Sequence, residues 1–218
     1  MNLLPVLGWA VVAALASAVA ERWLRTQLPE GWRLAGRRLQ VPVAALLGGL
    51  AGSAASVVEQ ATFAVLAVAA ALLVVVDLAD YRLPDILVLP LYGVLAVGLT
   101  VAAWTQERWP DLLRAAIVAA VMFVLYFVMA IFASDLGFGD VKLAGVAGGL
   151  LGWFGITQAV AGFLLAWVLS AIVGLVLILF RRIGRKASLP FGPYLILGAA
   201  LGAVWGLQVL PGLAVLTG

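Results

Sequence analysis

The chain has 218 residues, of which 66% are hydrophobic and 11% are charged, and its formal net charge is +3 at pH 7. This composition excludes a soluble globular domain, because so few polar side chains cannot cover the surface of such an apolar chain. The chain contains no cysteine and no histidine, which excludes disulfides, thiol nucleophiles, Ser-His catalysis and histidine-ligated zinc, and leaves carboxylate, lysine and hydroxyl chemistry.

Seven apolar tracts predict an all-α fold, a polytopic membrane helix bundle that forms one membrane-embedded domain over residues 1–218. Six tracts have the length of one span each, near residues 3–20, 41–58, 61–79, 86–104, 112–133 and 191–210. The tract at 143–180 would be roughly 57 Å long as one helix, about twice the hydrocarbon thickness of a bilayer. It is therefore predicted to turn back near 152–158, which gives spans at 143–155 and 159–180 and about eight spans in total.

The basic residues predict the orientation of these spans. With eight spans and the N-terminus outside, eleven lysines and arginines fall on one side of the membrane and two on the other. The eleven are Arg22, Arg25, Arg33, Arg37, Arg38, Arg82, Lys142, Arg181, Arg182, Arg185 and Lys186, and the two are Arg108 and Arg114. The positive-inside rule places the first group in the cytoplasm and both termini outside. The arginines are thus read as topology determinants that touch anionic lipid, not as a nucleic-acid surface.

Two aspartates lie where an apolar chain should carry few charges. Asp77 closes the third predicted span, and Asp140 lies in the turn before the sixth, within Gly137-Phe-Gly-Asp140. The predicted topology puts both at the cytoplasmic edge of the membrane, so they can occupy the same depth. Two carboxyl groups held a few ångströms apart share one proton, and such a pair can hydrolyse a peptide bond without histidine, cysteine or metal.

Three segments, in this order along the chain, resemble the signature segments of the type IV prepilin peptidases, the GxGD class of aspartyl membrane proteases. The segments are Asp77-x6-Pro84-Asp85 followed by Leu87-Val-Leu-Pro90, then Gly137-Phe-Gly-Asp140-Val-Lys142-Leu143, and finally Leu189-Pro190-Phe191-Gly192-Pro193-Tyr194. The resemblance covers the chain from about residue 60 to its end.

This resemblance implies an aspartic endopeptidase in the cytoplasmic (inner) cell membrane, without metal or cofactor. Its partners would be membrane lipid and a prepilin or pseudopilin, whose basic leader peptide is removed at the cytoplasmic face. Asp77 and Asp140 match the catalytic aspartates, and Gly137 and Gly139 match glycines that let the backbone turn tightly. Supporting positions are Asp85, Lys142, Pro190, Gly192 and Pro193.

The chain also departs from the family pattern. Bifunctional members carry an additional cytoplasmic region with paired Cys-x-x-Cys motifs and also methylate the new N-terminus. This chain lacks cysteine and has a short polar loop at 21–40 in that place. The departure argues against methyltransferase activity.

Several of these acids have simpler explanations. Asp140 and Asp85 could be N-caps of the helices that follow them, a common use of aspartate. Asp80 and Asp135 lie in predicted cytoplasmic turns, where solvated carboxylates are ordinary. Lys142 could extend to the lipid headgroups.

Other functions stay open on the residues alone. Asp77, Asp80 and Asp85 could hold Mg²⁺ and a diphosphate, as in membrane phospho- and prenyltransferases. Asp77 and Asp140 could form a proton or cation relay in a transporter. A Ser-Lys hydrolase would combine a serine with a lysine, the candidates being Ser134, Ser188, Lys142 and Lys186.

Overall fold

The computed structural model describes residues 3–28, 38–132, 136–180 and 189–210, and every regular element within them is a helix. The helices are α1 (Leu3–Val19), α2 (Glu21–Gln27), α3 (Gln40–Ala51), α4 (Val57–Asp80), α5 (Asp85–Gln106), α6 (Trp109–Phe132), α7 (Phe138–Phe154), α8 (Ile156–Leu179) and α9 (Gly192–Val209). Helices α4, α5, α6, α8 and α9 are long and apolar enough to cross a membrane. The protein is therefore a polytopic integral membrane protein, and the predicted all-α fold class is confirmed.

The predicted interruption of the tract at 143–180 is confirmed at Gly155. This residue ends α7 and precedes α8, and its φ of 152° lies where residues with a Cβ are strained. A Cβ at Gly155 would also collide with the side-chain oxygen of Gln158. The tract consequently forms two helices, as its length requires, while the total of eight spans stays a prediction.

The second predicted span, 41–58, is wrong in its second half. Helix α3 ends at Ala51 after 12 residues, and a separate helix begins at Val57. The cause is a capping box, in which the Ser56 hydroxyl accepts the Glu59 N–H (3.2 Å) and the Glu59 carboxylate accepts the Ser56 N–H (3.3 Å). These two hydrogen bonds satisfy amide groups that have no partner within the first turn of a helix. A new helix therefore begins at Val57, and the apolar run is divided before it.

The chain divides into two compact units, residues 1–112 and 113–218. In the first unit, small residues allow α1, α3 and α4 to pack closely, since Ala13, Ala44 and Ala71 form one fully buried cluster. A Cβ added at Gly48 of α3 would lie 2.7 Å from the carbonyl oxygen of Trp9 on α1. Such close backbone approach is typical of helix packing in membranes.

A buried acid organises the end of this unit where α4 begins. Glu59 is 1% exposed, and its carboxylate accepts hydrogen bonds from Arg108 Nη1 (2.8 Å) and Gln106 Nε2 (3.2 Å) in addition to its capping contacts. Arg108 also binds Asp111. The start of α4, the end of α5 and the start of α6 are thus joined through one carboxylate.

Replacing Arg108 by glutamine should destabilise the protein, because the buried Glu59 carboxylate would lose its positively charged partner. A hydrogen bond to a charged group contributes about 1.5–3 kcal/mol, so a loss of that order is expected as a lower unfolding temperature in detergent. Arg82→Gln is the matched control, since that arginine side chain is 79% exposed and lies 3.7 Å from Asp80. Equal unfolding temperatures for Arg108→Gln and Arg82→Gln would contradict the role given to Glu59.

In the second unit, α8 and α9 approach each other through glycines. A Cβ on Gly202 would lie 2.5 Å from the Cα of Gly162, and one on Gly198 would lie 2.5 Å from the carbonyl oxygen of Gly162. Because the two backbones are almost in contact, the only side chain that fits at these positions is a hydrogen atom.

Candidate active site

Asp77 lies in the last turn of α4 and is 4% exposed. Its carbonyl oxygen accepts the N–H of Tyr81 (2.9 Å), which ends the helix in the left-handed conformation with φ of 53°. The acid therefore lies at the predicted position, at the end of an apolar helix of membrane length. A carboxyl group that is removed from water at such a place is a candidate for function.

Helix α2, within the polar loop predicted at 21–40, packs beside the turn that carries Asp77. Leu24 of α2 is 2% exposed and forms a buried cluster with Leu72, Val75 and Val76 of α4. Sequence reasoning treated this loop only as a polar excursion. Its amphipathic helix instead supports the end of α4, and Leu24 within Arg22-Trp-Leu-Arg25 was the apolar signal for that contact.

The other acids near Asp77 lie at the surface. Asp80 is 41% exposed in its side chain and lies 3.7 Å from Arg82. Asp85 is exposed and occupies the first turn of α5, whose N-cap position belongs to Pro84. The prediction that Asp85 is an N-cap is therefore wrong by one residue, because the proline that precedes it takes the extended conformation of a cap. Asp77, Asp80 and Asp85 do not come together as a group that could hold a metal ion.

Asp140 lies in the first turn of α7, ahead of the apolar span predicted at 143–155, and is 8% exposed. Its Oδ2 accepts the backbone N–H of Gly137 (3.1 Å), so it is a residue of the first turn and not the N-cap that the simpler explanation proposed. Its Oδ1 is buried and makes no hydrogen bond to any described residue. Oδ2 thus binds the amide at the start of α7, and Oδ1 is available to a different partner.

Burial raises the pKa of the Asp140 carboxyl above its ordinary value, and the hydrogen bond from Gly137 partly offsets that rise. The cause is desolvation, which disfavours the charged form of an acid. Asp140 therefore retains its proton to a higher pH than a solvated aspartate does.

Gly137 matters for the room that it leaves beside Asp140 and not for unusual backbone dihedral angles. Gly137 has φ of −73° and ψ of 149°, which any residue adopts, and Gly155 is the only glycine of the described residues with positive φ. The backbone does turn here, since the Asp140 N–H donates a hydrogen bond to the Gly137 carbonyl oxygen (3.0 Å), but the turn requires no positive φ. A Cβ on Gly137 would lie 3.3 Å from Oδ2 of Asp140, so glycine here gives the carboxylate room to reach the backbone N–H.

Lys142 contacts an aromatic ring of its own helix. Its Nζ lies 4.9 Å from the centroid of Phe138, and that ring packs edge-on against Phe127 of α6 at 6.1 Å. Such an ammonium contact is worth about 0.5–1 kcal/mol at exposed sites. Lys142 thus contacts the Phe138 ring, and that ring packs the start of α7 on α6.

The other end of α7 is held by Arg114 of α6. Its guanidinium donates hydrogen bonds from Nε to the carbonyl oxygen of Gly152 (2.7 Å) and from Nη2 to that of Trp153 (2.9 Å). The last carbonyls of a helix lack partners within it and carry partial negative charge, which an arginine satisfies. Sequence reasoning counted Arg114 only as a topology signal and missed this contact.

The late motif lies in the same unit as Asp140 and begins α9. Pro190 and Gly192 are buried, and Pro193 occupies the first turn of the helix. Phe191 packs against Trp167 at 4.9 Å and Tyr126 at 6.0 Å between ring centroids. The motif therefore joins α6, α8 and α9 through an aromatic cluster that the sequence did not reveal.

Some predicted residues fall outside the described part of the chain. These are Asp135, Ser134, Ser188 and Lys186, together with the arginines at 33, 37, 181, 182 and 185. Asp77 belongs to the first unit and Asp140 to the second, and their pairing stays a prediction.

The apolar helices and the two acids buried at helix ends define an integral membrane protein that carries a buried carboxyl group in each unit. The model of the type IV leader peptidase family matches residues 64–179, more than half of the chain, and the chain belongs to this family. The matched range contains Asp77, Asp85, Gly137, Gly139, Asp140 and Lys142 and ends before the late motif.

Curated relatives extend the comparison. The chain is 36% identical over 138 residues to a prepilin leader peptidase/N-methyltransferase of Burkholderia pseudomallei, covering 60% of this chain and 42% of that protein. Proteins of the same name from Legionella pneumophila (30% over 144 residues; 63% and 47%) and Pseudomonas putida (31% over 140 residues; 62% and 46%) are also similar. The matched part spans less than half the length of these relatives. No solved structure matches the chain.

Proposed function

We propose that this protein is a membrane aspartyl endopeptidase that removes the leader peptide from type IV prepilins or pseudopilins. The observation that carries the proposal is Asp140, whose buried Oδ1 has no hydrogen-bond partner among the described residues, within a chain of the leader peptidase family. A buried oxygen without a partner costs about 1–3 kcal/mol, so it is typical of a site that acts on a ligand.

The proposed reaction uses Asp77 and Asp140 as a pair that shares one proton. Asp140, whose pKa is raised by burial, holds the proton and donates a hydrogen bond to the scissile carbonyl oxygen. Ionised Asp77 takes a proton from a water molecule as the water oxygen attacks the carbonyl carbon. The amide nitrogen then takes a proton from the pair, the C–N bond breaks, and the new carboxylate and amine separate.

The remaining motif residues support the helices that carry the two acids. Gly137 provides the amide that holds Oδ2, and Lys142 contacts the Phe138 ring, which packs the start of α7 on α6. Pro190, Gly192 and Pro193 start α9 so that Phe191 enters the aromatic cluster of α6 and α8. Asp85 begins α5, the helix that follows the Asp77 turn.

The substrate follows from the membrane location and the family. A prepilin has an apolar helix that can lie among the spans and a basic leader that emerges at the cytoplasmic face of the inner membrane. The scissile bond must leave its helix before cleavage, because a helical carbonyl is already hydrogen-bonded. The proposal covers leader removal and not methyl transfer, and it includes contact with membrane lipid but none with nucleic acid.

Coexpression of the intact protein with a prepilin, followed by mass measurement of the pilin N-terminus, tests this proposal. We expect a mature pilin that is shorter by its leader and carries no methyl group. An uncleaved prepilin in the presence of the inserted protein would overturn the proposal. A cleaved and methylated pilin would confirm the peptidase and extend the activity.

A further inference from the structure

Two buried oxygens of the second unit lack regular hydrogen bonds among the described residues, and they belong to Asp140 and Tyr126. Tyr126 is 1% exposed, and within the described residues its hydroxyl oxygen, like Oδ1 of Asp140, has no hydrogen bond of normal geometry. The indole N–H of Trp167 is the nearest candidate donor to this hydroxyl, and it would leave the phenol O–H free to donate elsewhere. A phenol carries one O–H donor, and an ionised carboxylate accepts hydrogen bonds only. The two groups are therefore chemically complementary.

The packing of α6 against α7 puts these two residues at the same level. Gly152 lies beside Ala115 and Val118, and Gly148 lies beside Val118 and Met122, so residue numbers rise along one helix as they fall along the other.

This antiparallel register continues to the other end of α7, where Phe138 contacts Phe127. Residue numbers across the contact sum to between 265 and 270 in all these pairs, which puts Asp140 opposite residues 125–130 of α6. Tyr126 also lies four residues after Met122, on the face of α6 that packs on α7.

Three aromatic rings of the second unit pack against the Tyr126 ring. Its centroid lies 5.6 Å from that of Phe163, 6.3 Å from Trp167 and 6.0 Å from Phe191. These contacts hold the ring in place, and the hydroxyl is its polar end. The late motif thereby acts on the position of Tyr126.

Few other ionisable groups belong to the elements packed around Asp140. On α7 the remaining charged side chain is Lys142, and α8 contains no charged residue over Ile156–Leu179. Helix α9 contributes Tyr194 in its first turn, and the charges of α6 are Asp111 and Arg114, near its opposite end. Asp77, the proposed partner acid, would titrate together with Asp140.

We propose that Tyr126 is a positioning residue for Asp140, and that its hydroxyl donates a hydrogen bond to Oδ1, directly or through one water molecule, when Asp140 becomes ionised. This inference rests on the proposed peptidase function for its kinetic consequence but not for the interaction itself. The hydrogen bond would stabilise the carboxylate after proton donation and hold Oδ1 in one orientation.

The test combines kinetics with a titration that does not require activity. Removing a donor from an ionised carboxylate raises its pKa, so in Tyr126→Phe the loss of activity with rising pH should move upward by about one to two pH units. We expect kcat to fall about tenfold with KM nearly unchanged. Infrared titration of the carboxyl band that is absent in Asp140→Asn should show the same shift in its midpoint.

Phe163→Leu is the packing control. It removes one ring of the cluster and keeps the Tyr126 hydroxyl, which Trp167 and Phe191 still hold, so it should lower the unfolding temperature and move either midpoint by much less than Tyr126→Phe does. Unchanged midpoints in Tyr126→Phe, or equal shifts in both variants, would overturn the inference. A shift of the infrared midpoint in Tyr126→Phe, from a wild type that cleaves no prepilin, would sustain the inference and reject the proposed function.

A fluorinated tyrosine at position 126 makes the test independent of folding defects. It preserves the ring and makes the hydroxyl a stronger donor, so the midpoint of Asp140 should move to lower pH. An unshifted midpoint in this variant would also reject the hydrogen bond.

Discussion

Replacing either aspartate by asparagine should abolish prepilin cleavage while the protein still inserts in the membrane. A catalytic acid or base contributes about 10²- to 10⁴-fold to a rate, and Asp77→Asn and Asp140→Asn each remove one from the proposed pair. Asparagine is the informative substitution at position 140, because its amide oxygen can still accept the Gly137 N–H that Oδ2 accepts in the wild type. The measurement is the fraction of mature pilin on coexpression.

Asp80→Asn is the matched control for these two variants. Asp80 lies three residues from Asp77 in the same helix, but its side chain is 41% exposed and lies 3.7 Å from Arg82. We expect cleavage close to that of the wild type. Cleavage at the wild-type rate by Asp77→Asn or Asp140→Asn would remove that residue from the mechanism, and loss of cleavage in Asp80→Asn would place the site elsewhere along α4.

Gly202→Ala should destabilise the second unit severely. Its Cβ would lie 2.5 Å from the Cα of Gly162 and 2.7 Å from the carbonyl oxygen of Gln158, and both are backbone atoms that a side-chain rotation cannot move. Overpacking of a tight interior costs about 1–3 kcal/mol, and a backbone clash belongs at the upper end of that range. We expect a lower unfolding temperature in detergent and a smaller inserted fraction.

Gly93→Ala provides the comparison for Gly202→Ala. Gly93 lies within α5, and no atom would come within 4 Å of its Cβ. Alanine favours a helix over glycine by about 1 kcal/mol, so this variant should be as stable as the wild type or more stable. Equal stability of Gly202→Ala and the wild type would contradict the close packing of α8 on α9.

The motifs and span lengths of this chain could be read from its sequence because both are local properties. Asp77 ends an apolar run and Asp140 begins one, and the structure places both at helix ends. The thickness of a bilayer requires that residues 143–180 form two helices, and Gly155 is the residue at which they are separated. The capping box of Ser56 and Glu59, which separates α3 from α4, is also a local pattern of the sequence.

The contacts between distant residues could not be read in this way. Arg108 and Arg114 look alike in a count of charges, yet one binds buried Glu59 and the other binds the last carbonyls of α7. Which partner a side chain finds depends on how far each helix is shifted along its neighbour, and hydrophobic periodicity does not contain that shift. In the sequence Tyr126 is likewise only one residue of an apolar run, whereas in the structure Phe191 and Phe163 pack against it.

The two oxygens of Asp140 have different roles, and this restricts the length of the side chain at position 140 as well as its charge. One oxygen must stay within reach of the Gly137 amide, and the other is thereby fixed on the far side of the same carboxyl carbon. Glutamate has the same charge and one more methylene, which would displace at least one of the two atoms. A longer acid at this position can therefore keep the helix start or the reactive geometry, but not both.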